Sequence, residues 1–367
     1  MQGELAGEQV LVARVEAERL ELKGYGRRVE KGSMREREET VALSLEEAAY
    51  LLETGKLELT AEHGAALTPE GFFTHALSIY PNFVARYLVY RDLKERGYVV
   101  QPGGTDFLLY PRGAKQGEKP ARSFIRIVSE RDSLSMKELV ELVKLAHNMR
   151  KEAIIAVVDD DSAITYYEVK EAKFSAGEWR NEEVAGLEAV VGTAAAFLRG
   201  DKVVVQHPPV AARLLDTGLF GALTKEQYLI LSLVEAAYLM KRGVLKLELE
   251  YEAFLAHAAT LERDFRLKYA VYQDLREKGL VLKAGFKFGS HFRVYKAINQ
   301  KHSVDLIHVL PEQFVFALPE LARSVRLAHG VKKRMVFAQL ASRATAGDDK
   351  LSTEGPIRYV AIGRLKL

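Results

Sequence analysis

Two stretches place apolar residues at helical spacing and stop at a glycine suited to a C-terminal cap: LEEAAYLLETG from Leu45 and LVEAAYLMKRG from Leu233. Short β-branched runs, VLVARV from Val10 and VVVQH from Val203, read as strands. Amphipathic helices are predicted over Phe83 to Arg96 and over Phe265 to Lys278, closed by Gly97 and Gly279. Strands follow each: YVV, DFLLY and SFIRIV after the first, GLVL, HFRVY and DLIHVL after the second. A further helix, about Met136 to Arg150 or Pro319 to Lys332, leads into an apolar strand, IIAVV or MVFAQL, and a last strand, ITYYEVK or RYVAIGRLK, ends each series. Helices set against a mixed sheet make the fold class α/β with α+β additions.

The pattern occurs twice, block by block and in the same order. GEQVLV at Gly7 returns as GDKVVV at Gly200, LSLEEAAYLLETGKLEL as LSLVEAAYLMKRGVLKLEL, and RYLVYRDLKERGYVV as KYAVYQDLREKGLVL. DFLLYP returns as HFRVYK, and VKLAHNMRKEAIIAVV as VRLAHGVKKRMVFAQL. A duplication with length changes in its loops explains this order. The expected organisation is a first repeat over 1–172, with a small α+β domain at 1–62 and a mixed-sheet α/β domain at 63–172. A linker over 173–197 and a second repeat over 198–367, divided at 255/256, complete it. Trp179, the sole tryptophan, falls in the polar stretch SAGEWRNEE and reads as a packing anchor.

Composition narrows the chemistry. The 367 residues are 48% hydrophobic and 28% charged, enough for a sizeable core in more than one domain. Without cysteine there are no disulfides, thiolate nucleophiles or cysteine-ligated metals, which suits a reducing, cytoplasmic setting. No run of apolar residues reaches membrane-spanning length, so no membrane association is expected. A net charge of +3 means that any nucleic-acid surface must come from local clustering of Lys and Arg. His207, His257, His291, His308 and His329 lack ligand spacing, and no HExxH, P-loop or dinucleotide motif occurs in context. Neither a metal nor a cofactor is expected. Asp159, Asp160 and Asp161 sit between IIAVV and ITYYEV, where aspartates are ordinary turn formers.

The trio FRVY, HSVDLIHV and VRLAHGVKK, in that order and preceded by VYQDLREKG and KAGFKFG, resembles the archaeal tRNA-splicing endonucleases, specifically the homodimeric type with two tandem units per chain. The resemblance covers nearly the whole chain. It implies a catalytic triad of Tyr295, His302 and Lys333, and cleavage of precursor tRNA at a bulge-helix-bulge without a metal, leaving a 2′,3′-cyclic phosphate and a 5′-hydroxyl. It also implies that Arg326 and Arg364 sandwich a flipped base, with Arg323 and Lys332 as further RNA contacts on the basic helix. Asp159 to Asp161 would dock into a basic groove of the opposite subunit of a homodimer. The connection KAINQK and the polar segment SRATAGDDKLSTEGP depart in length from the family pattern.

The residue types suit that chemistry. Attack by a ribose 2′-hydroxyl needs one proton removed and another delivered to the leaving oxygen. An imidazole, with an ordinary pKa near 6.5, is the better acid; a phenol, near 10, must be activated to serve as a base. Lys333 could activate it and steady the extra negative charge of the transition state. Arg326 and Lys333, seven residues apart, are expected to share one helical face. In the first repeat Tyr110 and Lys151 are retained, but the alignment sets Arg122 where the second has His302, so that copy is expected to be inert. Two other classes of function are compatible with the residues: a non-catalytic RNA-binding subunit and a metal-dependent nuclease.

Overall fold

The structure is a computed structural model that describes residues 1–13, 24–28, 40–61, 64–113, 119–179, 196–340 and 356–367. Most of the expected linker (180–195) and of the polar insertion (342–355) lies outside the described residues. The chain forms two compact units: Met1–Asp132 with Lys144–Val169 and Leu365–Leu367, and Ser133–Val143 with Lys170–Arg364.

In the first unit, a sheet runs in the order Arg27–Arg28, Thr40–Ser44, Gln9–Ala13, Gln2–Ala6, Glu58–Thr60 and Ala66–Leu67. The helices Leu45–Glu53 and Pro69–Ile79 supply Leu45, Ala48, Leu51, Phe72 and Ala76 to its core, with Val10, Val12 and Leu43 from the strands. Helix Phe83–Glu95 opens the second half and contributes Val89, Tyr90 and Leu93 to a core under the strands Val99–Pro102, Phe107–Tyr110, Ser123–Ser129, Glu152–Val158 and Ile164–Glu171, adjacent in that order. Ser123–Ser129 and Glu152–Val158 pair in parallel, so a crossover must join them, and helix Met136–Asn148 falls in that connection. Their nearly continuous apolar sequence follows from burial on both faces.

The second unit repeats the plan. Its first sheet has the order Ala196–Arg199, Lys202–Val205, Leu229–Ser232, Ala222–Leu223, with helices Pro208–Gly218, Leu233–Lys241 and Tyr251–Leu261. After helix Phe265–Glu277 come Val281–Ala284, Phe292–Tyr295, Asp305–Leu310, Arg334–Leu340 and Ile357–Leu365, again adjacent in that order. Helix Leu318–Gly330 joins the parallel pair Asp305–Leu310 and Arg334–Leu340. A short polar strand, Ser133–Ser135, pairs with Val315–Ala317 inside this unit. One continuous core runs from Val203 and Ala236 to Tyr295 and Val336.

The local chemistry that stops and starts these helices is itself duplicated. Ser44 caps Leu45–Glu53 by accepting from the Glu47 N–H (3.2 Å), and Glu47 accepts from the Ser44 N–H (2.8 Å). Ser232 and Glu235 do the same for Leu233–Lys241. Each glutamate also accepts from a glycine N–H, Gly26 at 3.1 Å and Gly221 at 2.9 Å. At Gly221 φ is +61°, and a Cβ would lie 2.6 Å from the Ile230 carbonyl oxygen, so only glycine fits.

Trp179 is 2% exposed, in the second unit's core. Its indole N–H donates to the Thr217 carbonyl (2.8 Å), and the Arg276 guanidinium lies 5.1 Å from its ring. Around it the backbone is bound strand-fashion: Gly177 N–H to Lys278 O, Glu178 N–H to Lys296 O and Trp179 N–H to Gly279 O. The stretch expected to link the two repeats thus places its tryptophan in the core of the second unit.

Candidate active site

Three adjacent strands of the second unit end at one place. The Val304 N–H donates to the Val294 carbonyl (2.8 Å), and the Arg334 N–H donates to the Val304 carbonyl (3.2 Å). Tyr295 follows Val294, His302 lies two residues before Val304, and Lys333 precedes Arg334. With neighbouring strands roughly 4.8 Å apart, the backbone ladder alone sets these residues at one edge. The Arg334 guanidinium grips the Asp305 carboxylate with both arms (2.7 and 3.0 Å), tying two of the strand ends together.

Each side chain has a distinct setting. Tyr295 is 8% exposed, with the Arg293 guanidinium 6.0 Å from its ring. His302 is exposed in a bend. The Lys333 ammonium donates to the Ser303 carbonyl (2.8 Å), which fixes it beside the histidine's own backbone.

Lys333 reaches this position because helix Leu318–Gly330 ends abruptly. Lys332 takes a left-handed conformation (φ 54°), the Lys332 N–H returns to the His329 carbonyl (3.0 Å), and the Lys333 N–H returns to the Ala328 carbonyl (2.9 Å). This corrects the helical-face argument. Arg326 is on the helix, whereas Lys333 lies past its end, so the turn and not a seven-residue repeat sets the lysine. Arg323, Arg326 and Lys332 are exposed. Arg364 is also exposed, and continuing the register Met335↔Ile362, Val336↔Ala361 sets it opposite Lys333.

The first unit has the same ladder with different groups. The Arg122 N–H donates to the Leu109 carbonyl (2.8 Å), the Glu152 N–H to the Arg122 carbonyl (3.0 Å), and the Lys151 ammonium to the Ala121 carbonyl (2.7 Å). By these bonds Arg122 matches Val304, not His302, and Ala121 matches Ser303. The residue at the histidine's position is therefore Pro120, which has no titratable group. The connection after Tyr110 differs in length from the one after Tyr295, so sequence spacing alone does not set the equivalence expected for Arg122. Arg122 instead pairs with Glu152 (3.0 Å), at an exposed site.

Asp159, Asp160 and Asp161 occupy the turn after Glu152–Val158. Asp159 accepts from the Ala163 N–H (2.7 Å), and Asp160 forms an exposed ion pair with Arg131 (2.6 Å). Among the described residues no group of three His, Asp or Glu side chains is arranged to hold a metal ion. His291 and His308 do meet, ring centroids 4.6 Å apart. Burial above all, then the neighbouring His308, pulls His291 down to about 3, and its Nδ1 accepts from the Val309 N–H (2.9 Å). It is a neutral acceptor inside the sheet.

Sequence reasoning missed three groups at this edge: Arg293, the Asp305–Arg334 pair and the Ser303 hydroxyl, which is buried with no hydrogen-bond partner among the described residues. The alternation in FRVY could have flagged Arg293, since it shares a face with Tyr295.

No helix among the described residues is long and apolar enough to cross a membrane. The model of the tRNA intron endonuclease catalytic C-terminal domain matches residues 83–166 and 265–346, and that of the N-terminal domain matches 1–73 and 194–257. Among curated proteins, a tRNA-splicing endonuclease of Methanococcoides burtonii is 38% identical over 377 aligned positions, covering 100% of both chains. One of Methanosarcina mazei is 38% identical over 99% of this chain and 98% of its own. One of Halobacterium salinarum is 35% identical over 89% and 90%. With both domain types matched twice and full-length relatives at this identity, the chain belongs to the tRNA intron endonuclease family.

Proposed function

We propose that this chain is a tRNA-splicing endonuclease that cuts precursor tRNA at the two bulges of a bulge-helix-bulge, and that the second unit carries the chemistry. The observation that carries this is the meeting of Tyr295, His302 and Lys333 at one edge of three strands, against Pro120 at the matching place in the first unit. Tyr295 takes or orients the proton of the ribose 2′-hydroxyl, whose oxygen attacks phosphorus. The P–O5′ bond breaks, and His302 protonates the leaving oxygen. Lys333 balances the charge that builds on the phosphoryl oxygens. The products are a 2′,3′-cyclic phosphate and a 5′-hydroxyl, and each proton and charge is handled by a protein group without calling on a metal or cofactor. Arg326 and Arg364 stack on a displaced base, a task suited to guanidinium planes, while Arg323 and Lys332 contact phosphates. One active unit per chain implies a homodimer for a substrate with two bulges. The acidic turn Asp159 to Asp161 docks on the partner subunit. The setting is the cytoplasm, where precursor tRNA is available.

Incubating the purified chain with a bulge-helix-bulge precursor in excess EDTA tests this. Two cuts with cyclic-phosphate ends are expected. Loss of cutting on chelation, restored by a divalent cation, overturns the metal-independent mechanism. Binding without cutting under all conditions assigns the chain a non-catalytic role.

A further inference from the structure

Beside Tyr295 the second unit has a feature that the first lacks. The registers match position for position: Val281↔Tyr295, Leu282↔Val294, Lys283↔Arg293 and Ala284↔Phe292 in one, Val99↔Tyr110, Val100↔Leu109, Gln101↔Leu108 and Pro102↔Phe107 in the other. A neutral pair, Gln101↔Leu108, thus becomes two cations directly opposite one another, an arrangement that destabilises a sheet. Lys283 is held by the Leu219 and Gly221 carbonyls. Burial first, and then the Arg276 and Arg293 guanidiniums, keep its ammonium below the ordinary range against the opposing pull of Glu235. Arg293 donates through Nε to the Ala284 carbonyl (2.8 Å), and no carboxylate among the described residues forms an ion pair with it.

From Arg293 a row of alternating cations and rings leads outward. Its guanidinium lies 6.0 Å from the Tyr295 ring and 5.6 Å from the Phe288 ring, and the Lys287 ammonium lies 5.3 Å from Phe288. Phe288 and Lys287 belong to the helical turn Phe286–Phe288, closed by Gly289 at φ 65°. A Cβ on Gly289 would lie 3.2 Å from the Leu327 side chain, so the turn abuts the basic helix beside Arg326. At its head Phe286 is 92% exposed, whereas no other exposed large apolar side chain among the described residues exceeds 53%. In the first unit the corresponding connection, 103–106, is shorter and contains no aromatic residue.

We propose that the turn 285–289 and Arg293 form a docking lip for the unpaired nucleotides beside the scissile phosphate: Phe286 stacks on one base, and Lys287 and Arg293 hold the adjoining phosphates. An exposed ring, Phe286, heads a turn whose next two residues continue into the Lys287–Phe288–Arg293 row, and no carboxylate among the described residues forms an ion pair with either cation; this fits single-stranded nucleic acid, whose bases stack and whose backbone supplies negative charge. A protein partner would have to leave those cations uncompensated or bring acids of its own. The lip rests on the cleavage reading above, and it adds residues to it that act on substrate position.

The test uses the full-length chain and a bulge-helix-bulge RNA carrying 2′-deoxyribose at each cut, with 2-aminopurine at individual bulge positions. For the wild type, stacking should quench at least one of these fluorophores. Phe286→Ala should abolish that quench and raise Kd roughly 5- to 150-fold, the affinity carried by one base–aromatic stack. Phe286→Trp should restore both. Arg293→Gln should reduce the slope of log affinity against log salt by about 0.7, one single-strand phosphate contact. On cleavable RNA, Phe286→Ala should raise KM more than it lowers kcat. Wild-type cutting with unchanged Kd and quench in Phe286→Ala overturns the lip alone. A lower oligomeric state in Phe286→Ala with unchanged RNA affinity assigns the ring to a protein contact and also overturns it. A wild type that neither binds nor cuts the RNA overturns the lip together with the cleavage reading.

Discussion

The stability of the first unit should pass through a minimum between about pH 7 and 8, because two buried groups shift in opposite senses there. Glu47 is buried in the first turn of the Leu45–Glu53 helix, and burial above all raises it from 4.5 to about 7, against the Ser44 and Gly26 N–H groups that favour its charged form. The folded state holds this proton more tightly than the unfolded chain. Its contribution is therefore complete below about 4.5 and vanishes as pH rises through about 7. The shift, 7 − 4.5, corresponds to about 3 kcal/mol at about 1.4 kcal/mol per unit. Lys94, whose ammonium lies 3.7 Å from the Tyr25 ring, is lowered by burial from 10.5 to about 8 against the pull of Glu47. Here the folded state holds the proton less tightly, so the cost is full below about 8 and is relieved as pH climbs to about 10.5. Hydrogen exchange of first-unit amides, corrected for intrinsic rates and read between pH 5 and 10, measures both limbs. Glu47→Gln, neutral throughout, should flatten the acid limb and, because it removes the charge that holds Lys94 up, start the alkaline rise at a lower pH. First-unit stability rising between pH 5 and 7, or the same slope in the variant, would refute the reasoning.

His302→Ala and Lys333→Ala should each lower single-turnover cleavage by roughly 10²- to 10⁴-fold with the oligomeric state intact, whereas Lys151→Ala should cut at close to the wild-type rate. Ser303→Ala should raise the melting temperature of the second unit, because the buried hydroxyl has no partner among the described residues and leaving it so costs about 1–3 kcal/mol; a fall would show that Ser303 does make a stabilising bond. Replacing Asp159, Asp160 and Asp161 by serine should weaken dimerisation in sedimentation equilibrium, more at low ionic strength, and unchanged association would leave them as turn formers.

What the sequence made legible was whatever depends on periodicity. The helices expected from Phe83 and Phe265 begin there and end at Glu95 and Glu277, and those expected near Met136 and Pro319 run Met136–Asn148 and Leu318–Gly330. The histidine of the second copy and its absence from the first were also readable. The identity of the replacement was not, because hydrogen bonding and not spacing defines equivalence across a connection of altered length: Pro120, not Arg122, takes the place. The strands Ser133–Ser135 and Val315–Ala317 were invisible, being short and with little apolar alternation to mark them. Buried charge networks were equally hidden. Arg86 bonds both Glu46 and Asp106 out of solvent, and no local pattern marks a residue whose partners are distant in sequence. Arg293 is of the same kind, since its meaning comes from the residue opposite.

The membership of the second unit has a consequence for how this gene can be divided. Residues 133–143 and 170–179 belong to that unit, the first pairing Leu134 with Phe316 and the second delivering Trp179 to the core. A fragment starting at residue 198 would carry Tyr295, His302 and Lys333 yet lack the strand Ser133–Ser135, the first half of the strand Ala196–Arg199 and the indole that covers Arg276. Fission of the gene into two halves at the boundary between the repeats would have to share out these segments or replace them. Complementation between separately expressed halves should accordingly succeed only for cuts that keep them with the C-terminal piece.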